Sequence, residues 1–174
     1  SLSNYLQGIP VIHEVAAGIA AEYFNEISTN EKALALVTTG PGITNIVTAI
    51  SGAWLESREL LVIGGQVKSS DLSRGKLRAR GIQEVNGVEL LSSITKKSVL
   101  IDSPINAEIF CSHVRQSWEP RKGPVFLEIP LDVQAANVKA ENVVSHTEHK
   151  LKNVSSREMQ KIIDLYDMSE RPVL

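Results

Sequence analysis

ALALVTTGPGITNIVTAISGAWLESRELLVIGG, residues 33–65, decides the fold. It opens on a short apolar run, ALALVTT (33–39), and closes on another, ELLVIGG (59–65). Between them Ile43, Ile46, Val47, Ile50 and Trp54 recur at helical spacing. A strand, a helix and a second strand in this order form a βαβ crossover, the unit that joins parallel strands. Strands that read as continuous apolar runs, without polar alternation, are those covered on both faces.

The same alternation extends along the chain. KSVLI (97–101) and PVFLEIP (124–130) read as further buried strands. Val15, Ala16, Ile19, Tyr23 and Phe24 mark a helix before the decisive stretch, and Ile105, Ile109, Phe110, Val114 and Trp118 mark one after it. The expected fold is α/β: a doubly wound, mostly parallel sheet with helices on both faces, a flavodoxin-like three-layer sandwich.

The 174 residues suffice for one domain with a substantial core, and hydrophobic and charged contents of 43% and 22% are ordinary for a globular chain. A net charge of −2 gives no overall attraction to nucleic acid. No apolar run reaches the roughly 18–20 residues needed to span a bilayer, and SLSNYLQGIP lacks the basic start and apolar stretch of a signal peptide. The single cysteine, Cys111, excludes an internal disulfide and reads as a small core residue. His13, His113, His146 and His149 show no zinc spacing, so no metal ligands are expected in this chain. These features predict a cytoplasmic setting.

Residues 139–153 are polar, charged and aperiodic, and read as a linker. Beyond them Ser155-Ser156-Arg157-Glu158 is a capping-box pattern, followed by a helical stripe of Met159, Ile162, Ile163 and Tyr166. RPVL at the end reads as the first residues of a strand, and Leu2, Tyr5 and Leu6 as the tail of a helix. The chain is therefore expected to be a piece of a longer polypeptide.

In an open α/β sheet, ligands bind beyond the carboxyl ends of the strands. TTGPGITN (38–45) lies at such an end, where Gly40 and Gly42 permit close backbone approach and Pro41 stiffens the turn. Its spacing matches neither GxGxxG nor GxxxxGK[ST]. A plain tight strand-to-helix turn is the simpler reading of those residues. GGQV (64–67) puts Gln66 at a second strand end, and IPLDV (129–133) reads as a strand exit into a loop. The loop 68–80 carries Lys68, Arg74, Lys76, Arg78 and Arg80 against Asp71 alone, and is either a solvated loop or a cover that attracts an anion. Gln83 and Glu84 follow it. Glu14, in IPVIHEVAAGIAAEYF (9–24), sits where a β-branched strand passes into an alanine-rich helix. Its flanks Ile12, Val15 and Ile19 predict partial burial, which would raise its pKa and suit it to proton transfer near neutral pH. A helix-start carboxylate stabilised by the macrodipole is the alternative.

Glu14, GPG at 40–42, GGQV at 64–67, IQEV at 82–85, ITK at 94–96 and GPVFLEIPLDVQ at 123–134 come in one order. Together they resemble the N-terminal, pyrimidine-binding domain of thiamine-diphosphate enzymes of the acetolactate synthase and pyruvate oxidase type. The resemblance implies a pyrimidine-binding domain over residues 1–138 that lacks its first strand, a linker over 139–153 and the opening of a central domain over 154–174. It also implies a separate diphosphate-binding domain that holds magnesium, whose GDG…N signature does not occur in this chain. Glu14 matches the glutamate that hydrogen-bonds the pyrimidine nitrogen and favours the tautomer able to deprotonate the thiazolium ring. Gly40, Pro41, Gly42 and Asn45 match the turn against the pyrimidine, with Thr38 and Thr39 beside it, and Gln66 and Gln83 match polar positions around the reaction centre. Arg121 matches an arginine that contacts flavin in members that carry FAD. A 2-oxo acid substrate, and a homodimer or homotetramer with sites shared between subunits, are implied in turn.

Three positions depart from the acetolactate synthase pattern. Ile82 stands where phenylalanine is usual, Leu131 where lysine is usual, and Lys122 beside Arg121 where proline is usual. They leave room for a relative that acts on another 2-oxo acid or uses another acceptor. A decarboxylase or oxidase of the same family is one alternative to carboligation. A non-catalytic nucleotide-binding module, with Gly40 to Gly42 cradling a phosphate, or an interaction domain is another.

Overall fold

The computed structural model describes residues 6–137 and 154–171. The chain divides into two units, Ser1–Val143 and Val144–Leu174. The first unit contains α1 (Glu14–Ile27), β1 (Leu34–Val37), α2 (Pro41–Leu55), β2 (Leu60–Gln66), α3 (Gly87–Leu91), β3 (Lys97–Leu100), α4 (Ala107–Arg115), β4 (Pro124–Pro130) and α5 (Leu131–Gln134). Its four strands form one sheet in the order β1-β2-β4-β3, with every pair parallel. The fold is α/β and doubly wound, as the alternating pattern requires.

The two central strands are the most apolar. Val62, Val125, Phe126 and Leu127 are fully buried. One face packs α1, α2 and α3 through Ala21, Ile43, Ile46, Ile50 and Leu91 against Ala35, Val37, Leu60, Val62 and Phe126. The other face gathers Leu61, Ile63, Val99, Val125, Leu127 and Ile129 under Phe110 and Val114 of α4 and Val133 of α5.

Three local readings are corrected. The run at 33–39 is not buried on both sides: in β1 Ala35 and Val37 point into the core, whereas Leu36 is 72% exposed. β1 is an edge strand, and no described helix packs on that side of it. Residues 9–12 form no strand, because none of their backbone groups joins the sheet. IPLDV does not leave directly into a loop; Leu131–Gln134 makes one helical turn, and the Asp132 carboxylate accepts from the Ser69 backbone N–H at 2.9 Å.

The α1 stripe is also rotated from the expected one. The buried positions of α1 are Gly18, Ala21, Glu22 and Asn25, while Ile19, Tyr23 and Phe24 are exposed. Small residues win because α1 lies close against α2: a Cβ on Gly18 would stand 2.4 Å from Ala49 Cβ and 2.8 Å from Ile46 Cδ1. Asn25 then pins the turn into β1. Its Oδ1 accepts from Ala33 N at 2.7 Å and its Nδ2 donates to Ala33 O at 3.0 Å. Gly18→Ala would gain up to about 1 kcal/mol of helix propensity but overpack a contact that costs about 1–3 kcal/mol. We expect a net destabilisation of about 1–2 kcal/mol in urea unfolding; a stabilised variant would refute the tight α1–α2 approach.

The second unit contains α6 (Ser156–Met168). Its capping box is complete: Ser155 Oγ accepts from Glu158 N at 3.3 Å, and the Glu158 carboxylate accepts from Ser155 N at 2.9 Å. The linker expected over 139–153, residues 172–174 of the expected strand start and Leu2 and Tyr5 of the expected helix tail lie outside the described residues, while Leu6 is described and is not helical.

Candidate functional site

β1, β2 and β4 run parallel, with Val37 paired to Gly64 and Gln66 to Pro130, so Thr38, Gln66 and Pro130 lie at the carboxyl end of the sheet. At that edge β1 turns directly into α2. Gly40 is the N-cap, with φ 64° and ψ −114°, and Pro41 opens the helix, where its missing N–H costs nothing. The Gly40 conformation has no room for a side chain: a Cβ there would lie 2.6 Å from the Gln83 carbonyl oxygen. Gly42 is closed off as well, since its Cβ would meet Thr38 Cγ2 at 2.9 Å. The Gly40 turn and the Gln83 segment therefore meet backbone on backbone.

A polar cluster joins them. Thr39 Oγ1 lies 3.0 Å from Gln66 Oε1 and 3.3 Å from the Gln83 carbonyl. The Gln66 amide is buried and fully used: Nε2 donates to Val85 O at 2.7 Å and to Glu128 Oε1 at 2.9 Å, while Oε1 also accepts from Val67 N at 2.8 Å. Gln83 holds a positive φ of 58° and is exposed.

Glu14 is the first residue of α1, capped by the His13 ring, whose Nδ1 accepts from Val15 N at 3.3 Å. It is half-buried, and Asn45 Nδ2, one turn into α2, donates to its carboxylate at 3.0 Å. The structure thus brings Glu14 together with Asn45, and Thr39 and Gly40 together with Gln66 and Gln83. The expectation of a raised Glu14 pKa is corrected. The Asn45 amide, aided by the residue's own N–H, holds the carboxyl below its ordinary value. Ile12 and Ile19, the flanks thought to bury it, are themselves exposed, so desolvation is too weak to oppose the hydrogen bonds.

The basic loop is tethered at its far end. Burial pushes the Glu84 carboxyl up, but donation from the backbone N–H groups of Arg80, Ser73 and Gly81 outweighs it and brings the pKa down to about 2. Arg74 pairs with Asp102 at 3.3 Å. Ser69, Ser73, Arg74, Lys76 and Arg80 line a concavity of about 240 Å³ formed within the loop itself. Among the described residues no group of three or more His, Cys, Asp or Glu side chains is placed to hold a metal ion.

Arg121 lies elsewhere. It precedes β4 at the amino-terminal edge of the sheet, and its Nε donates to the Ser57 hydroxyl. Glu128 was missed by sequence reasoning, although a carboxylate inside the otherwise apolar PVFLEIP run is a signal in itself. Asp132, which ties α5 to the start of the basic loop, carries no such signal.

The chain is thus an α/β domain with a glycine turn and a polar cluster at the carboxyl ends of its parallel strands. The family described as thiamine pyrophosphate enzyme, N-terminal TPP binding domain, matches residues 1–90, and the chain belongs to it. It is the N-terminal domain type of acetolactate synthase-like proteins. It is 31% identical over 169 residues to a probable acetolactate synthase large subunit of Methanocaldococcus jannaschii, covering 93% of this chain and 28% of that protein. Identity to acetolactate synthase isozyme 1 large subunit of Escherichia coli is 30% over 179 residues, 100% of this chain and 30% of that protein. The large subunit of Lactococcus lactis is 31% identical over 173 residues, 97% and 29% of the two chains. The chain thus spans under a third of the length of these relatives. Among the described residues no helix is long and apolar enough to cross a membrane.

Proposed function

We propose that this chain is the pyrimidine-binding portion of a thiamine-diphosphate enzyme that decarboxylates a 2-oxo acid and transfers the acyl-anion equivalent to an acceptor. The observation that carries this reading is the Glu14 carboxylate. It lies at the head of α1, steadied by Asn45 at 3.0 Å, and α2 also supplies the close-packed Gly40 turn. The residues suit the cofactor. A carboxylate with one side-chain donor keeps acceptor capacity for a protonated ring nitrogen, and the glycine turn offers a flat backbone surface to an aromatic ring. Bound thiamine diphosphate supplies the electron sink for loss of carbon dioxide.

Glu14 holds and returns a proton at its carboxylate oxygen. Its depressed pKa keeps it ionised at neutral pH in the open chain, and a ring that covers it would remove water and raise its basicity. Thr38, Thr39, Gly40, Pro41, Gly42, Asn45 and Gln83 form the wall around the ring, and Gln66 braces that wall. The cations of 68–80 raise the local concentration of an anionic 2-oxo acid. Magnesium and the diphosphate belong to another domain, beyond a linker at 139–153 and a domain opening at 154–174, in a cytoplasmic homodimer or homotetramer with shared sites. A flavin on Arg121 would sit at the opposite edge of the sheet from this wall. A decarboxylase or oxidase would use the same residues.

The full-length protein that carries this chain, supplied with thiamine diphosphate, magnesium and pyruvate or a larger 2-oxo acid, is expected to release carbon dioxide only when the cofactor is present. No cofactor-dependent release from any acid of such a panel would overturn the proposal.

A further inference from the structure

Glu128 is a carboxylate in the middle of the sheet. It is 2% exposed, on β4, flanked by Leu127 and Ile129 and paired in register with Gly64 of β2 and Leu100 of β3. A buried carboxylate is retained at such a place only with dedicated donors. Gln66 Nε2 donates to it at 2.9 Å, and the first N–H groups of α3, at Gly87 and Val88, favour its ionised form, the Gly87 N–H also donating to Val85 O at 3.0 Å. Gly87 is a glycine for this reason, since a Cβ there would stand 2.7 Å from Glu128 Oε1. The carboxylate thus lies against the start of α3 on one side and holds the Gln66 amide on the other. Gln66 passes the restraint on to Val85 O and Thr39 Oγ1, at 2.7 Å and 3.0 Å.

We propose that Glu128 is a positioning residue: from the core it sets the place of Thr39, and through it the Gly40 turn, together with the 83–88 segment, and proton binding at Glu128 loosens all of them together. The inference rests on the reading of this edge as the cofactor wall only for its functional meaning. The ionised form makes a charge-assisted bond to Gln66 and is favoured by the N–H groups of Gly87 and Val88, and these interactions weaken when the charge is neutralised. Burial raises the carboxyl to about 7, against the opposing hydrogen bonds from Gln66, Gly87 and Val88, so both forms are populated at neutral pH. Glu84 is the charged group that bears on it, and with a pKa of about 2 it stays ionised throughout that range. β2 contributes the neutral Gln66, and α3 contributes its N–H groups.

The test is a ¹⁵N NMR titration of the 174-residue chain from pH 5.5 to 8.5, without cofactor. The Gly87 and Val88 amides, which touch the carboxylate, should shift with a midpoint near 7. The Thr39 and Gly40 amides, which do not touch it, should shift with the same midpoint. In Gln66→Leu the first pair should still titrate and the second should fall silent. Thr39 and Gly40 signals that ignore the midpoint in the unsubstituted chain, or that keep it in Gln66→Leu, would overturn the coupling. Persistence of the titration at all four amides in Glu128→Gln would assign it to another group and also overturn it. If either variant fails to fold, the unsubstituted chain decides alone. These readings need no thiamine diphosphate, so a failure of cofactor-dependent turnover would count against the proposed function and not against this coupling.

Discussion

Glu14→Gln is expected to lower thiamine-dependent turnover of the full-length enzyme by about 10²- to 10⁴-fold, the range for removal of a positioned proton-transfer group. The substitution keeps the shape and one carbonyl oxygen, so Asn45 Nδ2 retains its acceptor and α1 keeps its His13 cap. The urea midpoint of the chain should therefore hardly move. What disappears is the negative charge and the ability to accept and return a proton. On the function proposed above, the effect should fall on kcat more than on KM for the 2-oxo acid, because the interaction lost would be with the cofactor in the reacting state. Turnover within threefold of the unsubstituted enzyme would remove Glu14 from the chemistry and leave it as a helix-start carboxylate.

Gly40→Ala carries the second large effect, this time on the fold as well as the site. Gly40 combines a positive φ of 64° with ψ −114°, a conformation open to glycine alone. The new methyl would also meet the Gln83 carbonyl at 2.6 Å and Gln83 Cβ at 2.8 Å. Backbone strain of about 1–3 kcal/mol and overpacking of about 1–3 kcal/mol act together. We expect a destabilisation of roughly 2–4 kcal/mol by denaturant unfolding. Amide signals of Thr39 and Gln83 should be displaced, since relief requires these two segments to part. A loss below about 1 kcal/mol would mean that the turn and the 83–85 segment are not in contact.

Both predictions rest on features that were legible to different degrees. The strand at 124–130 was readable to its bounds, because a central strand covered on both faces is a nearly continuous apolar run, interrupted here only by Glu128. β1 was readable as a strand but not as an edge. Leu34 and Leu36 look the same in sequence whether or not a helix covers them. The stripe of α1 was misplaced for a related reason: α1 packs through Gly18 and Ala21, so hydrophobic weight gave the wrong face. Glycine spacing at 40–42 announced a close approach without saying to what, and the partner, Gln83, is distant in the chain and held at positive φ.

The site divides in the same way. The chain order of Glu14, the Gly-Pro-Gly turn, Gln66 and Gln83, and the family they indicate, belong to the sequence, because motif chemistry is written in residue types and their order. Three things belong to the tertiary structure. One is the direction of the Glu14 pKa, set by an Asn45 amide that arrives from another helix and by flanks that stay in water. The second is the separation of Arg121 from the rest, which follows from its place at the opposite edge of the sheet. The third is the Glu128–Gln66 junction beneath the wall. Composition and periodicity are local along the chain, and they determined the elements and their class. Hydrogen bonds and desolvation act through space, so which carboxylate is half-buried and low and which is fully buried and high was decided only when the fold brought distant segments together.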